Sequence, residues 1–123
     1  MLLCDDVLHG PEGTGNVHLM NVFTAIRPRS GFPHVQGGFT IFLQCVGGVG
    51  EMALRILVRS GTTDEPVFGS AERRVPIRDR LQPVRVVFRF ENCWFPSAGV
   101  YFVEGYCNGQ WIADQRLQLR NVP

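Results

Sequence analysis

Two alternating segments surround an Asn-Gly pair in this chain, and they constrain its fold more than any other feature. Residues 96–107 lead into Asn108-Gly109 and residues 110–120 lead out, with apolar and polar side chains taking turns in both segments. Asn and Gly accept the positive φ angles of a type I′ turn, whose twist matches that of paired strands. The sequence therefore predicts a β-hairpin over residues 96–120.

A period of two, which is typical of β-strands, runs through much of the remaining sequence. Residues 51–60 turn apolar side chains one way and arginines the other, and residues 83–91 repeat that pattern. No segment shows the period of an amphipathic helix. Short strands about ten residues apart, with turn residues between them, predict an all-β protein, an antiparallel β-sandwich of roughly seven to eight strands. The remaining strands are expected at residues 1–8, 16–26, 39–46 and 67–77.

The length and composition suit one small domain. With 123 residues, of which 45% are hydrophobic and 19% charged, the chain can bury an independent core, so we expect a single β-sandwich domain over residues 1–123. No apolar run is long enough to span a membrane, and the first residues lack the pattern of a signal peptide. We therefore expect a cytoplasmic protein without a membrane partner.

Four cysteines are present, and no two of them have the Cys-x-x-Cys spacing of common zinc and redox sites. Each cysteine lies in or beside an apolar segment. We therefore expect buried free thiols in a reducing compartment, whereas a disulfide between two of them is the alternative for an exported protein. The four are Cys4, Cys45, Cys93 and Cys107.

Catalytic and metal-binding patterns are weak in this sequence. Asp5 and Asp6 are adjacent, so on a strand they point to opposite faces and cannot chelate one ion together. A calcium site would need further oxygens from Asp64 or Glu65, and a zinc site would need several of three scattered histidines and four cysteines to converge. No nucleophile stands beside a base in the sequence. We therefore expect neither an enzyme nor a cofactor.

Arginine supplies all twelve basic residues, although the net charge is only +1. Arg55 and Arg59 on one predicted strand, and Arg85 and Arg89 on another, project from the side opposite the apolar row. If these strands are neighbours, the four guanidinium groups form a basic patch that suits an anion or a protein partner. The alternative is a solvated outer face balanced by acidic residues. Nucleic acid is a poorer fit, because the charge is nearly balanced and aromatic residues do not interleave with the arginines.

Large aromatic residues near the predicted turns are candidates for the core or for contact with a partner. We expect Trp111 to lie in the core, and we keep Trp94 as a surface candidate. The long loop at residues 27–38 carries Phe32 and His34 at its centre and is a candidate contact loop. Together with the four arginines, Trp94, Phe32 and His34 form the predicted partner-binding set.

The segment that enters the predicted hairpin resembles a pattern of immunoglobulin-like and fibronectin-like sandwiches. Pro96 and Gly99 precede Tyr101, and Asn108-Gly109 follows. In those folds a tyrosine at the start of the penultimate strand ties its hydroxyl to the backbone. The resemblance implies a sandwich that is immunoglobulin-like in general form, with Tyr101 as that corner residue.

A second resemblance covers most of the chain. Residues 2–6 read Leu-Leu-Cys-Asp-Asp, a glycine turn leads to residues 17–23, and Phe32-Pro33-His34 precedes the next strand. With the predicted hairpin, these features resemble a family of small bacterial proteins of unknown function. That resemblance implies a compact cytoplasmic bacterial sandwich, and it supplies no substrate, partner or catalytic residue.

Two functions remain open from the sequence. The first is a non-enzymatic protein-interaction module, which binds another protein or a second copy of itself through outer faces, loops or sheet edges. The second is an anion- or small-ligand-binding domain, or an enzyme with an undetected site, that uses the arginine-bearing face. The missing nucleophile-base and metal spacings favour the first. A pocket that gathers His34, Arg55 or Arg85 with a carboxylate would favour the second.

Overall fold

A computed structural model describes residues 1–48 and 50–122, and strands make up most of them. No helix occurs in these two ranges, and so none there is long and apolar enough to cross a membrane. The fold class is all-β, as the alternating sequence predicts. The strands are Leu2–Cys4 (β1), Asp6–His9 (β2), Val17–Met20 (β3), Ala25–Ile26 (β4), His34–Cys45 (β5), Glu51–Ser60 (β6), Pro66–Gly69 (β7), Arg73–Pro76 (β8), Val84–Phe95 (β9), Gly99–Cys107 (β10) and Gln110–Leu119 (β11).

Two sheets share one apolar core. The three-stranded sheet has the order β1-β5-β9, and the large sheet has the order β4-β11-β10-β6-β7, with β8 also paired to β6. Alternate side chains of both sheets meet in this core, because successive residues of a strand point to opposite faces. Its most deeply buried members include Phe39, Ile41, Leu43, Leu54, Ile56, Val58, Phe95, Tyr101, Val103, Leu117 and Leu119.

The hairpin of β2 and β3, which we call the cover hairpin, packs on the outer face of the three-stranded sheet. Its Val7 is buried in a second apolar cluster with Cys4 and Phe42, and Val17 and Leu19 pack against that cluster. Both faces of this sheet are therefore covered at its centre. Within residues 1–48 and 50–122, no strand covers the outer face of the large sheet in this way.

Aromatic rings join the two sheets across the core. Phe68 on β7 meets Phe39 of β5 edge-on with ring centroids 6.2 Å apart, and it meets Phe95 of β9 edge-on at 5.4 Å. Phe39 stacks on Phe90 at 5.5 Å, and Phe95 meets Tyr101 edge-on at 5.1 Å. Such ring pairs stabilise a core beyond the area that they bury, so this chain of rings fixes how the sheets sit on each other.

The predicted β-hairpin is confirmed. Strands β10 and β11 pair antiparallel, and their turn has positive φ angles of 52° at Asn108 and 79° at Gly109. Asn108 also docks the turn onto β6, because its side-chain oxygen accepts a hydrogen bond from the backbone N–H of Ala53 at 2.9 Å. The predicted strand at residues 51–60 is β6, with the same bounds.

Strands are more numerous than predicted, eleven in the described residues instead of seven to eight. The predicted strand at residues 1–8 divides at Asp5, and the one at residues 16–26 divides near Asn21, whose φ of 52° is incompatible with an extended chain. The first break lets the chain change sheet, since β1 pairs with β5 whereas β2 pairs with β3. The sheets are also not wholly antiparallel, because β4 and β11 run parallel.

Candidate functional site

The outer face of the large sheet carries the side chains that alternate with the buried ones. On β6 these include Arg55 and Arg59, and on β10 they include Phe102, Glu104 and Tyr106. The pairing register sets Phe102 opposite Arg59 and Tyr106 opposite Arg55. Aromatic rings and arginines therefore interleave on this face, and the sequence-based expectation that they do not is wrong. The rings come from the neighbouring strand in space, which the order of residues along β6 does not reveal.

Trp111 extends this face onto β11. The register shifts where Gly105 is opposite Ala113 and Tyr106 is opposite Trp111, so Ile112 is an extra residue on β11. Because of that shift, Trp111 shares the side of Tyr106 and is 57% exposed. The prediction that Trp111 lies in the core is therefore wrong. We call the following set the aromatic–arginine face: Arg55, Arg59, Phe102, Glu104, Tyr106 and Trp111.

Arg55, Tyr106 and Trp111 form a row across three strands of this face. The guanidinium carbon of Arg55 lies 5.3 Å from the centre of the Tyr106 ring, within the range of a cation–π contact. In the part of the chain that the structure describes, no carboxylate lies within ion-pairing distance of Arg55. The arginine is therefore positioned by a ring while its hydrogen-bond donors stay available.

Glu104 holds the other half of the face in place. Its Oε1 accepts a hydrogen bond from Arg59 Nε at 3.1 Å and another from the Tyr106 hydroxyl at 3.2 Å. The hydrogen bond to Glu104 is the main reason why the pKa of the Arg59 guanidinium lies above its ordinary value. Arg59 also donates to the Asp64 carbonyl oxygen at 2.9 Å. The Arg59 guanidinium thus already has hydrogen-bond partners within the protein, whereas that of Arg55 has none among the described residues.

Arg85 and Arg89 lie on the outer face of the other sheet, so the four arginines do not form one patch. Strands β6 and β9 belong to different sheets. Arg89 Nε pairs with Asp6 Oδ1 at 3.1 Å, and Arg85 donates to the Gln44 side chain at 2.9 Å and to the Gly15 carbonyl oxygen. These contacts hold the cover hairpin against the three-stranded sheet, so both arginines have a structural role.

The carboxylate of Asp6 in that ion pair is stabilised as an anion. A hydrogen bond from the Val7 backbone N–H is the main reason why the pKa of Asp6 falls below its ordinary value, and the hydrogen bond from Arg89 is the next. The two acidic neighbours do separate as predicted, because Asp5 instead accepts a hydrogen bond from the Asn21 side chain at 3.0 Å. Neither carboxylate enters the core.

The remaining predicted contact residues lie apart from the aromatic–arginine face. Trp94 on β9 is 51% exposed and faces an equally exposed Val35 across the β5–β9 pair. Phe32 is partly buried and packs against the core. His34 is half-buried and shares a 2.9 Å hydrogen bond with the Gln36 side chain. Only Trp94 of these three therefore presents a large free surface.

A small open cavity lies beside the turn of the cover hairpin. It has a volume of about 320 Å³, and its lining includes His9, Glu12, Asn16 and Arg85. An arginine and a carboxylate thus share one cavity, although the Arg85 guanidinium already donates to its own protein. The size reaches the lower end of the range for small-molecule sites.

No three His, Cys, Asp or Glu side chains converge as metal ligands within the described ranges. All four cysteines are free thiols, and Cys4 and Cys93 are buried as predicted, whereas Cys45 and Cys107 are only half-buried. The absence of a catalytic centre and of a cofactor stays a prediction.

Comparison with known proteins places nearly the whole chain in one sequence family. A model of a family of unknown function matches residues 1–120. No curated protein and no solved structure matches. The resemblance to a family of unknown function is therefore confirmed, and any function must be argued from the geometry of the surface.

Proposed function

We propose that this chain, which belongs to the family of unknown function DUF6941, is a non-enzymatic protein-interaction module. Its partner protein docks on the aromatic–arginine face of the large sheet. The single observation that supports this function is the row of Arg55, Tyr106 and Trp111, which stands on the sheet face that no strand covers among the described residues.

The composition of the row matches that of energetic centres in protein interfaces. Trp, Tyr and Arg are the residue types most enriched at positions where truncation weakens binding strongly. The row is also preorganised, because the Tyr106 hydroxyl is held by Glu104 and the Arg55 side chain rests on the Tyr106 ring. A preorganised surface loses less conformational entropy on binding, so more of the contact energy appears as affinity.

The chemistry of the row defines the partner. Arg55 offers a planar set of donors that suits a carboxylate, and Trp111, on the other side of Tyr106, offers a wide apolar surface with one N–H donor. We infer a partner segment in which an acidic side chain lies next to aliphatic or aromatic ones. The exposed Phe102, 37% accessible, widens the apolar part of this surface.

The edge of the large sheet next to Trp111 adds a second means of association. Strand β4 pairs with β11 only at Gln118 and Leu119. Along residues 110–117 the outer edge of β11 therefore has no neighbouring strand among the described residues. An open strand edge is a template for a strand from another protein or from a second copy of this chain.

The architecture and cellular setting are further parts of this proposal. We propose that the two sheets form a β-sandwich of immunoglobulin-like general form. The hydrogen bond that the Tyr101 hydroxyl donates to the Ser97 carbonyl oxygen at 2.7 Å supports this architecture.

We also propose that this is a bacterial protein of the cytoplasm. Four free thiols suit such a reducing compartment.

A capture experiment with matched variants tests the interaction. The full chain, immobilised, is exposed to a lysate of its native host, and bound proteins are quantified for wild type, Arg55→Glu, Trp111→Ser and Trp94→Ser. We expect a specific partner whose affinity falls about 30-fold or more in the first two variants, which is the effect of losing about 2 kcal/mol at an interface centre. Trp94→Ser is the control, since Trp94 is equally exposed but lies on the other sheet.

Two results would reject this function. One is a captured set of proteins that is the same for all four chains. The other is a partner that Trp94→Ser loses and Trp111→Ser retains. Light scattering of the purified chain, measured in parallel, separates a second copy from a different protein as the occupant of the β11 edge.

Binding of a small anion is the second candidate, and the cavity beside the cover hairpin favours it. Its lining brings Arg85 together with His9 and Glu12. Titration with inorganic phosphate, followed by NMR, should then shift the signals of residues around this cavity in wild type but not in Arg85→Gln. Shifts spread evenly over the surface, or equal shifts in the variant, would remove this candidate.

A further inference from the structure

Four sulfur atoms belong to side chains that line one open cavity at an end of the core. Cys45 is the last residue of β5 in the three-stranded sheet, and Cys107 is the last residue of β10 in the large sheet. Both continue the inward-facing rows of their strands, and both line a cavity of about 320 Å³ together with Met1 and Met52. The two sheets thus bring two thiols to the same space, where the thioethers of Met52 on β6 and of Met1, just before β1, also lie.

Both thioethers lie beside glycines that are close in sequence to the thiols. A Cβ atom at Gly48, three residues after Cys45, would overlap Ile77 Cδ1 and would lie 2.9 Å from Met52 Sδ. A Cβ atom at Gly105, two residues before Cys107 on the same face of β10, would lie 3.7 Å from Met1 Sδ. Each thioether therefore rests against backbone close to one of the thiols.

The other residues that line the cavity indicate which kind of metal ion it suits. Among the described residues around this cavity, Gln44 is the only one with a polar nitrogen- or oxygen-bearing side chain, and there is no carboxylate or imidazole. Hard cations prefer oxygen ligands and zinc is commonly held with imidazole, whereas thiolate and thioether sulfur together select soft ions such as Cu(I). Cys45 and Cys107 are also half-buried, so an ion can reach them, in contrast to the enclosed Cys4 and Cys93.

We propose that this cavity is a binding site for a soft monovalent metal ion such as Cu(I), with Cys45 and Cys107 as the thiolate ligands and Met52 and Met1 as thioether ligands. Binding forms four metal–sulfur bonds, two to thiolates and two to thioethers; it breaks the two S–H bonds of the cysteines, and both protons pass to solvent. The metal keeps its oxidation state. The site is independent of the aromatic–arginine face, so either proposal stands without the other.

A competition experiment on the full chain tests the site directly. Reduced protein is titrated, without oxygen, into the coloured Cu(I)–bicinchoninate complex, and the loss of colour reports transfer of Cu(I). We expect wild type to withdraw one equivalent. Cys45→Ser and Cys107→Ser should each weaken binding by at least about 100-fold, since even the groups behind a metal ligand are worth about 10- to 100-fold. Met52→Leu, which keeps the volume of the side chain, should weaken binding less.

Cys93→Ser is the matched control, because it removes a free cysteine that does not line this cavity. It should bind Cu(I) as wild type does. Circular dichroism of each variant checks that the strands are intact. The proposal is overturned if wild type withdraws no Cu(I), if the double variant Cys45→Ser/Cys107→Ser binds as tightly as wild type, or if an equal concentration of Zn(II) displaces the bound Cu(I).

Discussion

The Tyr101 hydroxyl donates a hydrogen bond to the carbonyl oxygen of Ser97, 2.7 Å away, at the point where the chain passes from one sheet to the other. Ser97 lies in the connection between β9 of the three-stranded sheet and β10 of the large sheet. Tyr101 itself is only 1% exposed and packs edge-on against Phe95. One buried side chain thus packs in the core and also ties down the connection between the two sheets.

Removing this hydroxyl should destabilise the protein. In Tyr101→Phe the ring still fills its place, but the Ser97 carbonyl oxygen loses its donor, so the free energy of unfolding should fall by about 1–2 kcal/mol. Tyr106→Phe is the matched control, because that hydroxyl bonds to Glu104 on the open outer face. Urea unfolding measures both variants. Equal losses of stability in the two would show that the Tyr101 hydrogen bond has no special role.

Local patterns in the sequence are sufficient to predict those parts of the fold that depend on residues close together along the chain. The Asn108-Gly109 turn, the bounds of β6 and the direction of its side chains all follow from turn chemistry and the period of two. The positions of the strand breaks do not follow, since Asp5 and Asn21 lie inside segments that the alternating pattern predicts as one strand each. Those breaks are set by which sheet the next strand joins, a tertiary choice that local patterns do not contain.

The candidate site was predictable only in part, for the same reason. The sequence correctly predicts that Arg55 and Arg59 lie on the polar side of a strand, but which aromatic rings lie beside them depends on the register of β10 with β6. The alternating pattern predicts the wrong face for Trp111, because a one-residue shift in pairing moves its side chain to the opposite face. The convergence of Cys45 and Cys107 likewise joins residues that are distant in sequence.

The turn of the β10–β11 hairpin requires glycine for its backbone conformation alone. A Cβ atom at Gly109 would meet nothing within 4 Å, yet its φ is +79°. Gly109→Ala should therefore lower the free energy of unfolding by about 1 kcal/mol. Gly37 is the control: its Cβ position is equally open, but its φ is not in the left-handed region. Gly37→Ala should leave the free energy of unfolding unchanged or raise it. Thermal unfolding measures both variants, and a Gly109→Ala protein as stable as wild type, or a Gly37→Ala protein that is clearly less stable, would contradict the prediction.

Two ion pairs on the large sheet should differ in their contribution to stability. The Arg59–Glu104 pair has side chains that are 28% and 18% exposed, whereas those of the Arg74–Glu51 pair are 72% and 55% exposed. Exposed pairs contribute little, because solvent screens them and ordering long side chains costs entropy. Glu104→Gln should thus lower the urea midpoint clearly, and Glu51→Gln should leave it nearly unchanged. The reverse order would mean that the hydrogen bonds of Glu104 do not stabilise the face.

Cys93 should make the protein less stable in alkali. Burial raises the pKa of its thiol to about 11 from an ordinary value of 9.0, and the residue is only 4% exposed. Between these two values the unfolded chain releases the proton while the folded chain keeps it. The folded state then binds more protons, so the free energy of unfolding falls as the pH rises through this window and is unaffected by this group below it.

Urea unfolding at about pH 8 and about pH 10 measures this effect, with Cys93→Ala as the reference. The alanine variant starts from a lower stability because it leaves a small cavity, but its further loss between the two pH values should be smaller than that of wild type. Cys4 and Cys45, whose pKa values burial also raises, are present in both proteins and so cancel in the comparison. Parallel losses in the two proteins would show that the Cys93 thiol ionises as readily in the folded state as in the unfolded one.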